Sequence, residues 1–156
     1  MLNKRSESST GLGEGRLGDE NVRDVLAAIS DGRIADAVDQ FDDRFSFFDN
    51  ALDIRISAKD RLTEFFSDIK EVFPDTAFEI VSLFEHGNYV VAEWRLAATF
   101  VESCGLSWRR RIPILVQGAT TARIEDGKIT RWCDYYDRIN AHRHVLAGRY
   151  KDWVEY

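Results

Sequence analysis

From residue 76 to residue 137 a period-two alternation dominates this chain, and ahead of that point spacings of three and four prevail. This change of period limits the fold more than any other feature. Period two marks strands with one face on a core, whereas spacings of three and four mark a helix face. Ahead of the change, Val22, Val25, Leu26 and Ile29 share one helical stripe, and Ile34, Ala37, Val38 and Phe41 repeat it. Leu62, Phe65, Phe66, Ile69 and Phe73 form a third stripe, which Pro74 ends. Three helices are therefore predicted. Asp19 is a candidate cap for the first, Asp31-Gly32 its break, and Ser57 with Asp60 resembles a capping box for the third. "RFSFFDNAL" (44–52) reads as a strand with Phe45, Phe47 and Asp49 on one face and Ser46, Phe48 and Asn50 on the other. The period-two half divides into strands at 76–85, 89–101, 107–124 and 129–137. Gly87-Asn88 and Asp126-Gly127 supply hairpin turns, with a looser loop around Gly105. Antiparallel hairpins after helices place the chain in the α+β class, a curved sheet packed on helices.

With 156 residues, 44% of them hydrophobic and 31% charged, the chain has the length and composition of one soluble domain. Residues 1–18, rich in Gly, Ser and charge, read as a disordered tail. Residues 19–140 form the expected domain, and 141–156 a C-terminal segment in which Trp153 and Tyr156 should pack on this chain or a neighbour. A net charge of −6 argues against nucleic acid or an anionic membrane as the main partner. Arg109-Arg110-Arg111 is too short to outweigh it and reads as a solvated strand face, with Arg110 a candidate for an anionic substituent. No stretch approaches the roughly 18 apolar residues of a membrane span, and no apolar signal region opens the chain. Cys104 and Cys133 form no framework or metal spacing, so free thiols in a cytoplasmic protein are expected.

One strand carries an unusual pattern. In "ITRWCDYYD" (129–137), Trp132, Asp134 and Tyr136 point the same way, so a carboxylate sits inside an aromatic face. It either projects into a pocket, or bonds a backbone amide, or pairs with Arg131 or Arg138. Asp49 has a similar choice between a pocket and a turn in "FDNAL".

The order helix, helix, strand, helix and four strands resembles the nuclear-transport-factor-2-like superfamily, above all its SnoaL-like polyketide-cyclase branch and the limonene-epoxide hydrolases. "EDGKITRWCDYYD" (125–137) carries the strongest match, supported by "VVAEWRLAATF" (90–100) and "RLTEFFSDIKEVFPD" (61–75). The resemblance implies a cone-like barrel in which a bent, mostly antiparallel sheet wraps around the three helices and leaves a pocket at its open end. It also implies that Asp134 handles protons in that pocket. Trp132 stands where the family has an aromatic, and Phe47 and Asp49 replace a Tyr and an Asn on the first strand. The Arg and Asp of the epoxide hydrolases are matched by Trp94 and Leu96. Glu93 and Arg95 lie one residue out of step, and the more apolar face is Ala92, Trp94, Leu96 and Ala98. The histidine of the cyclases has no counterpart, since His86 lies in a turn and His142 and His144 in the C-terminal segment.

A carboxylate between aromatics is desolvated, which raises its proton affinity toward a working pH. A second carboxylate nearby pushes the two apart, and ketosteroid isomerase of the same superfamily uses two aspartates in one apolar cavity. The expectation is a cofactor-free, metal-free isomerase, lyase, cyclase or hydrolase acting on a small apolar or cyclic molecule. Asp134 shuttles the proton and Asp49 assists. Phe47, Trp94, Leu96, Val116, Gly118, Trp132 and Tyr136 line the substrate, although Gly118 reads first as a sheet-bending bulge. A binding module without chemistry and an interaction domain are the rivals. A homodimer suits all three, with "IPILV" (112–116) and Phe100 as the stretch to inspect.

Overall fold

The first helix, α1 (Gly18–Asp31), buries the stripe the spacing predicts: Val22, Val25, Leu26 and Ile29 are at most 4% exposed. The computed structural model describes residues 18–104 and 108–137, with the side chains of 101–104 and 108–110 outside that description. Readings that fall on residues 1–17, the Gly105 loop, the side chains of Cys104, Arg109 and Arg110, and residues 138–156 lie outside the described residues. Asp19 sits within the first turn of α1 and pairs with Arg23, so it is not the cap. At the other end, Gly32 N–H donates to the Ile29 carbonyl and Arg33 N–H to the Ala28 carbonyl, a Schellman closure.

α2 (Ile34–Asp39) follows at once, and Phe41 opens β1 (Phe41–Asp49) instead of closing the helix. The strand begins three residues before the pattern suggests because it is recruited by a distant partner. Phe41 pairs with Ile129, whose N–H donates to the Gln40 carbonyl at 2.9 Å. Asp42, Asp43 and Arg44 hide this start, since they occupy a register shift and stay largely in solvent. β2 (Ile54–Ile56) is a three-residue edge strand too short to show a period. α3 (Lys59–Val72) buries Leu62 and Phe66 and stops at Phe73, ahead of Pro74. Its capping box does not form: the N-cap is Ala58, with no side-chain bond, and the Asp60 carboxyl accepts from Arg61 N–H.

β3 (Ala77–His86), β4 (Tyr89–Cys104), β5 (Trp108–Glu125) and β6 (Lys128–Tyr136) then run antiparallel. At Asp126-Gly127 both residues have positive φ, 49° and 74°, as a type I′ hairpin turn requires. The sheet order is β2-β1-β6-β5-β4-β3, and the β1–β6 pairing is parallel. The sheet is open at β2 and β3, and the helices cover one face. Val90, Ala92, Trp94 and Ala98 are buried on that face, and Glu93 and Arg95 are exposed on the other. There Arg95 lies 3.9 Å from Glu79, and Ser82 donates to Glu93. In 112–116, Ile112 and Val116 are buried while Pro113 and Leu115 are exposed; Phe100 packs against Phe73.

Gly118 does not mark a bulge. The register runs unbroken through it, and the shifts fall at Ile80/Ser82, Arg123/Ile124 and Phe41/Ser46. The reason for a glycine is close approach. An added Cβ would lie 2.5 Å from the Trp94 ring and 2.8 Å from the Tyr135 carbonyl oxygen. Among the described residues no helix is long and apolar enough to cross a membrane.

Candidate functional site

Strand pairing brings the site together in rows across the sheet. Phe47, Trp132, Ala122 and Val90 form one row, all buried. The next row is Asp49, Asp134, Thr120 and Ala92, and the one beyond it Tyr136, Gly118 and Trp94. Val116 and Leu96 pair one step further. Neighbouring strands lie about 4.8 Å apart, so one polar row is enclosed between aromatic rows.

Within that row the two carboxyl groups are treated differently. Asp49, 4% exposed, accepts from Leu52 N–H and from the Tyr136 hydroxyl, each at 2.9 Å. Asp134 Oδ1 accepts from the Thr120 hydroxyl at 2.5 Å. Thr120 is fully buried, and its oxygen in turn accepts from the Trp94 indole N–H at 2.9 Å. The Trp94 ring meets Phe78 edge-on at 5.3 Å and Tyr136 at 6.0 Å. The backbone at Asp134 is pinned as well, because its carbonyl accepts from both Asn50 N–H and Asn50 Nδ2 at 3.1 Å.

Burial pushes the Asp134 carboxyl up from 3.8 to about 7. Its hydrogen bond from Thr120 and the nearby Trp132 indole N–H pull the other way, and the Asp49 charge adds to the rise. Trp132 Nε1 is buried and makes no hydrogen bond of ordinary geometry, yet its N–H lies close enough to Asp134 to favour the charged form. Asp134 as a residue keeps partial exposure, which leaves a path for protons. Arg131 is not its partner: that guanidinium lies over Phe48 and donates to Cys133 on the opposite face. A carboxyl group that titrates near neutrality, with no cationic partner among the described residues, can both accept and return a proton.

The structure thus gathers Asp134, Asp49, Phe47, Trp94, Trp132, Tyr136 and Gly118, with Leu96 and Val116 one row out. Thr120 and Asn50 are site residues the sequence pattern did not single out. The clue for Thr120 was a hydroxyl at an inward position between Gly118 and Ala122, where a buried polar group needs a partner. An open depression of about 450 Å³ is lined by Asp75, 97–99 and 113–115, and Asp134 is not part of it. Among the described residues no three His, Cys, Asp or Glu side chains are grouped to hold a metal ion.

The family model of the SnoaL-like domain matches residues 22–132, most of the chain. This protein belongs to the SnoaL-like family. The matched segment stops just short of Asp134, so membership covers the scaffold and leaves the carboxylate to be argued from its geometry. No curated protein matches the sequence. Three solved structures show how widely the SnoaL-like fold is shared. A Catenulispora acidiphila protein with a ketosteroid-isomerase-like fold, in complex with trimethylamine, is 18% identical with a TM-score of 0.71, over 87% of this chain and 98% of its own. A Shewanella denitrificans protein classed as a SnoaL-like polyketide cyclase is 15% identical, TM-score 0.73, over 83% and 97%. An M. tuberculosis epoxide hydrolase of the limonene-epoxide-hydrolase-like type is 21% identical, TM-score 0.63, over 85% and 92%. At these identities the likeness is one of fold, and activity does not follow from it.

Proposed function

We propose that this SnoaL-like protein is an enzyme in which Asp134 moves a proton on a small, largely apolar or cyclic substrate, without need of a cofactor. The observation that carries the reading is a carboxyl group set among aromatic side chains and raised to about 7 by burial. As a carboxylate, Asp134 takes a proton from an acidic carbon or from a water and becomes the acid. It then returns that proton to another atom of the product, so the group ends as it began. Isomerisation, ring closure, elimination and epoxide opening all fit this cycle. Asp49, held by Leu52 and Tyr136, acts through its charge. The aromatic rows supply the dry surroundings that strengthen such interactions.

The test is turnover of a panel of enolisable cyclic ketones, polyketide-like β-ketoesters and small epoxides by wild type and Asp134→Asn. General acid–base groups contribute about 10²–10⁴-fold, so a loss of that size on any active member is expected while the fold persists. Full activity of the variant on a substrate the wild type turns over removes the reading.

A second reading, a pocket that binds without chemistry, is favoured by one observation: the open depression lies along 97–99 and 113–115, away from Asp134. Recovery of an unaltered bound molecule from that depression would support it.

A further inference from the structure

We propose that Thr120 and Trp94 are positioning residues that decide which oxygen of Asp134 carries the reacting proton. The inference rests on Asp134 being the proton-handling group; the sequence pattern does not single out Thr120, and it reads Trp94 only as pocket lining.

The argument starts from what each group can donate. An indole N–H can only donate. Trp94 Nε1 is buried and points at Thr120 Oγ1 at 2.9 Å, so that oxygen must act as acceptor toward it. The Thr120 hydroxyl hydrogen then has to go elsewhere. Thr120 is fully buried, and the acceptor it meets is Asp134 Oδ1 at 2.5 Å. The direction of the chain is therefore set: Trp94 N–H to Thr120, Thr120 O–H to Asp134. A free threonine hydroxyl would rotate and could accept a hydrogen bond from protonated Asp134 as readily as donate one to it. Here the indole holds it as a donor.

The consequence falls on the two carboxyl oxygens. Oδ1 is occupied as an acceptor in both protonation states, so when Asp134 binds a proton it does so at Oδ2. The acid form is then an Oδ2–H donor with its geometry fixed by β5, and the base form presents the Oδ2 lone pair. The backbone at 134, pinned by both nitrogens of Asn50, keeps the carboxyl group at the level of Thr120.

Gly118 belongs to the same device. The Trp94 ring lies directly over it, where a Cβ would be 2.5 Å from the ring, and this lets the indole reach across β5 to Thr120. Of the titratable groups facing Asp134 among the described residues, Asp49 comes from β1 and Tyr136 from its own strand, and those two are bonded to each other. Inward from β5 and β4 come Thr120 and Trp94, neither of which titrates. The hydroxyl is thus the one group from β5 and β4 that donates to the carboxyl, while the Trp132 indole N–H lies near it from its own strand.

The experiment is a pH titration of the Asp134 carboxyl carbon by ¹³C NMR in the ligand-free full chain, for wild type, Thr120→Val and Thr120→Ser. A hydroxyl that donates to the carboxylate favours the charged form. The isosteric valine should therefore raise the midpoint by about one pH unit or more, and serine should restore it. An unchanged midpoint in Thr120→Val overturns the proposal. Wild-type protein alone gives a second readout that no folding failure can obscure. The Trp94 indole N–H should exchange slowly with solvent and show a cross-peak to the Thr120 hydroxyl proton; fast exchange overturns the proposal as well. Neither readout needs turnover. If the titrations behave as expected and no substrate is found, the clamp holds and the enzymatic reading fails. If turnover depends on Asp134 but its pH profile ignores Thr120→Val, the reverse is true.

Discussion

Asp49 and Asp134 are the same residue type, directly paired on adjacent strands and facing the same way, yet their surroundings differ. Asp49 ends β1 and turns its carboxyl into the turn that follows. A backbone N–H and a tyrosine hydroxyl there meet both of its oxygens. Asp134 lies inside β6, and its carboxyl is met by side chains alone: the Thr120 hydroxyl from β5 on Oδ1, with the Trp132 indole N–H nearby. Two carboxyl groups in one row of the sheet therefore differ in the donors that reach them. What matters is how many donors the neighbouring backbone can spare, and a strand interior spares almost none.

The comparison breaks most visibly in the pH dependence of stability. Unfolded, Asp134 titrates near its ordinary 3.8; folded, near 7. The folded state therefore holds its proton more tightly. Wild-type stability should be unaffected by this group below pH 4, fall as pH rises from about 4 to 7, and then level off. The cumulative loss is at most about 4 kcal/mol. Asp134→Asn should remove that slope and be the more stable protein at pH 8. Urea midpoints at pH 4.5 and 8 measure it, and parallel curves for the two proteins contradict the assignment.

Gly118→Ala probes the packing that separates the two environments. The new Cβ meets an aromatic ring and a backbone oxygen, neither of which can yield cheaply, so a cost of about 2 kcal/mol is expected in chemical denaturation. The Asp134 midpoint should rise alongside, because the indole no longer seats Thr120. A neutral substitution would mean that the ring has room to shift.

The smallest effect sharpens the comparison from the other side. Asp49→Asn keeps an acceptor for Leu52 or Tyr136 and removes the charge. The Asp134 midpoint should fall by about half a pH unit, the direction opposite to that of Thr120→Val. No movement would show that the paired carboxyl groups do not feel one another.

The strands were legible because each keeps its own period. β3 to β6 begin and end within a few residues of the pattern, and the inward set Ala92, Trp94, Leu96 and Ala98 follows from apolar alternation. The early start of β1 was not legible, because Asp42, Asp43 and Arg44 do not look like a strand and are held by β6 from far along the chain. Nor was Ser57 shown to be idle, since a capping box is only a local option that the chain path can decline.

The same division runs through the site. That Asp134 shares a face with Trp132 and Tyr136 is a property of three positions on one strand, and local geometry settles it. Which donors reach that carboxyl is decided by register between strands. Thr120 meets Asp134, and Trp94 crosses Gly118, only because three strands align at one level of the sheet. Alternation along a strand is short-ranged and written in the residues themselves. Hydrogen-bond partners across a sheet depend on the whole packed arrangement, and no local pattern encodes them.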